Sequence, residues 1–181
     1  MAMAELIQMD FFKGILDLTL HDVMDYIAGG AYGKIDKNML YAYLSKDLPA
    51  VIAPGGLDTI AFPSGHPSLP FFRKRKKYHH DFRWGIKAKR EEVIKAAKWI
   101  GNILRETNPK KSIFFIPLRG WSYPGEQARE FYYQEIMDLF KKWIKKFYRE
   151  DSVIEVDLSI NDPQFGRVAC QHLWSLMTDQ I

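Results

Sequence analysis

Residues 90–117 read REEVIKAAKWIGNILRETNPKKSIFFIP, and the two halves of this stretch decide the fold class. In the first half Val93, Ala96, Ala97, Ile100, Ile103 and Leu104 recur at helical spacing. The pattern predicts a helix over 90–106 that stops before Asn108-Pro109. In the second half 113–117 (IFFIP) is a continuous apolar run without alternation, the way a strand reads when both its faces are covered. An amphipathic helix leading into a doubly covered strand is part of a βαβ unit.

The alternation continues outward in both directions. Strands are expected over 14–18 (GILDL), 50–53 (AVIA), 77–80 (KYHH) and 153–158 (VIEVDL). Helices are expected over 21–28, closed by Gly29-Gly30, and over 37–45, ahead of Pro49. A further helix over 126–148 has Phe131, Leu139, Phe140, Trp143 and Phe147 on its apolar side. The last, over 162–177, is opened by Asn161-Asp162-Pro163, an Asx cap followed by proline in the first turn. The expected architecture is α/β: three layers, a mainly parallel five-stranded sheet with helices on both faces, in one domain over 1–181. Residues 54–76, rich in Gly, Pro, Ser and basic side chains, read as one long irregular loop.

Composition bounds the function. The 181 residues are 47% hydrophobic and 14% aromatic, enough to bury a sizeable core. Lys and Arg exceed Asp and Glu by 26 to 22, and a net charge of +4 permits anionic ligands without demanding nucleic acid. No apolar run approaches a membrane span, and MAMAELIQMD lacks the shape of a secretory signal, so a cytoplasmic protein without membrane partners is expected. The single cysteine, Cys170, excludes an intrachain disulfide and a multi-thiolate metal site, which fits a reducing compartment. His21, His66, His79, His80 and His172 show no ligand spacing, so no metal site is expected. Neither G-x-x-x-x-G-K-[ST] nor G-x-S-x-G occurs, and RKRKK at 73–77 reads as solvated loop surface before it reads as a nucleic-acid patch.

In an open parallel sheet, ligands bind outside the carboxyl ends of the strands. The residues expected there are Thr19, with Asp17 just inside its strand; Gly55, Gly56 and Asp58; His80; Arg119, Gly120 and Ser122; and Asn161 and Asp162. Glycine lets backbone N–H groups approach an anion, Arg119 can clamp a phosphate or carboxylate through two parallel bonds, and the helix start after Asn161 offers unpaired amides. The same residues also serve ordinary turns: Asp162 fits a plain helix cap and Arg119 a plain ion pair. Asp17, inside an apolar run, requires a partner because an unpaired buried carboxylate is costly.

Read in order, AMAELI at 2–7, GILDLT at 14–19, Gly29-Gly30, PAVIAPGGLD at 49–58, YHH at 78–80, IPLRGWS at 116–122 and IEVDLSINDPQF at 154–165 resemble the Tm-one-like ATP-binding domain family over almost the whole chain. The chain departs from that pattern at Leu20-His21, at Asp81-Phe82 and over 83–90. Proteins of the family resemble two Rossmann-like halves in one polypeptide, and this chain is similar to the second half. The resemblance implies a nucleotide ligand, ATP with Mg²⁺, and a strand and glycine-rich turn ahead of the segment at 2–7. It therefore implies either a piece of a longer protein or one product of a split gene.

The leading expectation is a nucleotide-binding domain that works with an N-terminal half on a separate chain or self-associates through an uncovered edge. The alternatives are an enzyme acting on a small phosphorylated or carboxylated substrate, with Asp58 or His80 as acid or base and Arg119 as anion clamp, and a pure protein-interaction module. The expected opening helix, with Met1, Met3, Leu6, Ile7 and Met9, presents apolar side chains next to that edge.

Overall fold

The computed structural model describes residues 2–33 and 38–178; Met1 and Lys37, each included in an expected helix, lie outside the described residues. In chain order the elements are α1 (Ala2–Gln8), β1 (Ile15–Thr19), α2 (His21–Ala28), α3 (Asn38–Ser45), β2 (Ala50–Gly55), β3 (Thr59–Pro63), β4 (Lys77–His80), β5 (Arg83–Lys87), α4 (Arg90–Thr107), β6 (Ser112–Pro117), α5 (Gln134–Phe147), β7 (Val153–Val156) and α6 (Pro163–Met177). Short 3₁₀ turns lie at Leu69–Phe72 and Glu150–Ser152.

β1, β2, β6 and β7 form a parallel sheet in the order β1-β2-β6-β7, in register at Ile15↔Ala50, Ile52↔Phe114 and Ile116↔Glu155. Side-chain alternation sorts the residues of the two central strands between two cores. Ala50, Ile52, Phe114 and Ile116 belong to the larger core with side chains of α1 to α5. Val51, Ala53, Ile113 and Phe115 face the opposite way, onto Phe165 and Ala169 of α6. The three layers are thus present but unequal, with α6 covering its face alone among the described elements.

Among the described residues the parallel sheet has four strands, not five. KYHH is β4, and it pairs with β5 in a separate antiparallel sheet of order β3-β5-β4. The reason is connection length: Asp81 and Phe82, with Asp81 at φ 53°, form a two-residue turn, and so short a link joins only antiparallel neighbours. The expected irregular loop at 54–76 likewise contains β3, whose alternate residues Ile60 and Phe62 are fully buried.

Two element boundaries differ from the expected ones for local reasons. The helix expected from 126 begins at Gln134. The residues before it are held in turns by bonds such as Gly125 N–H to Ser122 Oγ (3.1 Å) and Phe131 N–H to the Pro124 carbonyl (2.8 Å). The strand expected to 158 ends at Val156, whose carbonyl accepts from both Leu118 and Leu158. α6 starts as expected, with Asp162 Oδ1 accepting the Gln164 N–H at 2.8 Å and Pro163 in the first turn. No helix among the described residues is long and apolar enough to cross a membrane.

Candidate functional site

Parallel strands point their carboxyl ends the same way, so the segments after Thr19, Gly55, Pro117 and Val156 meet at one edge. They are also bonded to one another. Leu20 N–H donates to the Gly55 carbonyl (2.8 Å), Gly56 N–H to Trp121 (2.7 Å), Ile160 N–H to Gly120 (3.0 Å) and Arg119 N–H to Leu158 (3.1 Å). Gly120 adopts φ 132° at this junction, a conformation that strains any other residue. Thr19 lies opposite Gly55 in the strand register and is exposed.

At the inner end of this edge, Ser122 Oγ donates to Asp58 Oδ2 at 2.8 Å and Thr59 Oγ1 to Asp58 Oδ1 at 3.2 Å. Ser122 Oγ in turn accepts the Gly125 N–H. A Cβ on Gly125 would overlap Asp58 Oδ2, so only glycine permits this approach. Burial pushes the Asp58 carboxyl above its ordinary range, opposed by the Ser122 and Thr59 bonds and the charge of Lys87. Lys87, from β5, lines a cavity of about 20 Å³ with Asp58, Trp121, Phe131 and Met137, about the room one water needs. Its ammonium sits 5.1 Å from the centre of the Tyr133 ring. Burial lowers its pKa, with the charge of Lys76 acting the same way.

The outer end is an open recess of about 350 Å³ lined by Arg119, Glu126, Gln127, Ser159, Asn161, Asp162 and Pro163. Glu126 accepts from Asn161 Nδ2 (3.1 Å), Ser159 Oγ (3.2 Å) and Arg129 Nε (2.8 Å). Burial raises the Glu126 carboxyl, but those three bonds outweigh it and hold the pKa below the usual value. The recess is therefore lined by an ionised carboxylate among amide and hydroxyl donors.

Of the expected residues, Thr19, Gly55, Gly56, Asp58, Arg119, Gly120, Ser122, Asn161 and Asp162 all lie at this edge. The Arg119 guanidinium is engaged, with Nε 2.9 Å and Nη2 2.7 Å from the two Asp157 carboxylate oxygens, and the pair holds the Asp157 carboxyl below its usual range. Two expected residues lie elsewhere. His80 is on β4, exposed, with Nε2 3.3 Å from Asp81. Its hairpin pairing takes it out of the parallel sheet. Asp17 lies within β1 and is 8% exposed, with Tyr43 Oη donating to Oδ2 at 2.9 Å. Burial pushes its carboxyl up to about 6, partly opposed by the Tyr43 bond. Lys87 was not among the expected residues; an isolated lysine in a short basic segment carries no motif, and only the antiparallel sheet brings it to Asp58. Among the described residues no group of three or more His, Cys, Asp or Glu is placed to hold a metal ion.

Comparison with known proteins identifies the family. Residues 1–177 match the family model described as uncharacterised protein family (UPF0261) C-terminal domain. The chain is 32% identical over 180 residues to a UPF0261 protein of Clostridium tetani, covering 97% of this chain and 44% of that protein. It is 29% identical over 174 residues to a UPF0261 protein of Rhizobium meliloti, 93% of this chain and 43% of that one. It is also 27% identical over 170 residues to the tomato (Solanum lycopersicum) ToMV resistance protein Tm-1(GCR237), 91% of this chain and 22% of the tomato protein. The chain thus spans less than half the length of these relatives.

Proposed function

Because the chain belongs to the uncharacterised protein family UPF0261, as its C-terminal domain, we propose that it is a ligand-binding α/β domain that takes a nucleotide at the carboxyl edge of its parallel sheet. The observation that carries this reading is the bonding together of three loops distant in sequence, 55–58, 118–127 and 157–162, around Asp58–Ser122 and an open polar recess. Ser159 and Asn161 offer groups that suit a ribose or base. The ionised Glu126 suits the water shell of Mg²⁺ on an ATP phosphate chain. Arg119 contributes to phosphate binding only by exchanging Asp157 for the ligand.

A partner domain completes the pocket in this reading. The relatives extend well beyond the matched region, and β1 stands at the edge of the sheet with Met3, Leu16 and Met39 exposed beside it. The low cysteine content supports a reducing, cytoplasmic setting.

Asp58 favours a second reading, an enzyme acting on a small phosphorylated or carboxylated substrate. A carboxyl whose pKa is raised by burial beside a lysine whose pKa is lowered is a pair suited to proton transfer. Titration with ATP and Mg²⁺ by calorimetry, on this chain and on a protein of the full length of the clostridial relative, tests the binding reading. Saturable binding by the longer protein is expected, and no binding by either overturns it. Turnover abolished by Asp58→Asn with ligand affinity kept would decide for the enzyme.

A further inference from the structure

The antiparallel sheet has two edges, and they differ. On β3 the outer edge is closed: Ala61 N–H donates to Asp25 Oδ1 at 2.7 Å and the Ala61 carbonyl accepts from Ala31 N–H at 3.0 Å. On β4 it is open, and among the described residues the backbone of Lys77–His80 bonds only to β5. An open edge is a row of N–H and C=O groups ready to pair with another strand.

The surroundings of that edge select what can pair with it. Residues 59–89 hold eight Lys and Arg against one acid, Asp81, so this segment is more basic than the chain as a whole, whose net charge is +4. Arg75 is used internally, on Glu92, and Arg83 lies 3.6 Å from Asp81. Arg73, Lys74 and Lys77 form no ion pair among the described residues. Lys77 is on the open strand itself. Two phenylalanines of the same segment stand in solvent, Phe71 at 87% and Phe82 at 85% exposure, the second in the turn that ends the open strand. Like charges repel a second copy of the same edge.

We propose that the outer edge of β4 docks an extended acidic polypeptide segment, which joins the antiparallel sheet as a fourth strand. Its backbone pairs with β4, its carboxylates meet Arg73, Lys74 and Lys77, and its apolar side chains cover Phe82. Phosphates of nucleic acid or of a membrane answer the same cations, but only a polypeptide backbone also answers a free row of N–H and C=O groups.

Fluorescence anisotropy with a short labelled peptide of alternating Glu and Val tests this, with the same peptide N-methylated on alternate amides, a Lys/Val peptide, oligouridylate and phosphatidylserine vesicles as comparisons. The Glu/Val peptide is expected to bind, and Lys74→Glu with Lys77→Glu to weaken it by about tenfold or more, as does N-methylation. In the unaltered protein, amide exchange at Tyr78–His80 should slow when the peptide is added, a readout that needs no variant to fold. The proposal is overturned if the peptide fails to bind, if the N-methylated form binds equally well, or if oligouridylate or vesicles bind more tightly than the peptide.

Discussion

Asp17 in β1 accepts a hydrogen bond from Tyr43, and burial pushes its carboxyl up to about 6 against an unfolded value of about 3.9. The folded state therefore binds more protons than the unfolded state between those values. The contribution is fully present below the unfolded pKa and is lost as pH rises through about 6. At neutral pH the protein carries the cost of a buried anion. Asp17→Asn keeps an oxygen for Tyr43 and removes the charge, so urea unfolding above this range should show a gain of about 1 to 3 kcal/mol, with a shallower fall in stability on the way up. Asp25, also raised to about 6 by burial, leaves a residual slope in that variant. An unchanged pH profile would mean that Asp17 does not titrate there. A residue-scale effect of opposite sign belongs to Gly125→Ala, whose added methyl displaces Asp58 from Ser122. It should cost about 2 to 4 kcal/mol in thermal or urea unfolding and lower ligand affinity with it.

At the scale of elements, the unequal layers make α6 the point of failure. Phe165 and Ala169 are fully buried against Val51, Ala53, Ile113 and Phe115, and no other described helix covers that face. Phe165→Ala should lower stability by about 3 to 5 kcal/mol by urea titration. The cap of the same helix separates two roles for Asp162. As the acceptor for Gln164 N–H alone, its change to alanine costs about 1 kcal/mol of stability and leaves nucleotide affinity as it was. A loss of affinity well beyond tenfold would instead make Asp162 a ligand contact, because a frayed first turn does not account for it. The antiparallel sheet is tied to α4 through Glu92, which pairs with Arg75 at 2.6 Å and accepts the Lys89 N–H at 2.6 Å. That one carboxylate caps the helix and, through Arg75, whose Nε donates to the Lys87 carbonyl at 3.0 Å, anchors the end of β5.

At the scale of the molecule, β1 is an edge strand flanked by exposed Met3, Leu16, Met39 and, beyond it, Met9 and Phe11. Apolar side chains beside unpaired backbone tend to acquire a neighbour. Light scattering on this chain should therefore find self-association, relieved when the remaining part of a full-length relative is supplied, with ATP binding strengthened at the same time. A monomer that binds ATP tightly by itself would remove the partner domain from the proposed function.

The α/β class and the shared edge of the loops after the parallel strands were readable from local pattern. Apolar periodicity over 90–117 depends on the residues themselves, and once strands are parallel their ends share one edge, which is why Gly55, Asp58, Gly120, Ser122 and Asn161 come together as expected. What depends on which groups end up in contact was not readable. KYHH is a plausible strand in either sheet, and the two-residue turn to RWGIK, with the buried alternation of β3 beyond it, settled its pairing. Arg119 carries the same guanidinium whether it meets a ligand or Asp157, and the tight turn at Val156–Leu158 brings Asp157 to it. Lys87 comes to line the same cavity as Asp58 only because the antiparallel strands pack beside the carboxyl edge of the parallel sheet. Periodicity is a property of neighbours in sequence; charge pairing, strand partnership and burial of a carboxylate are properties of neighbours in space.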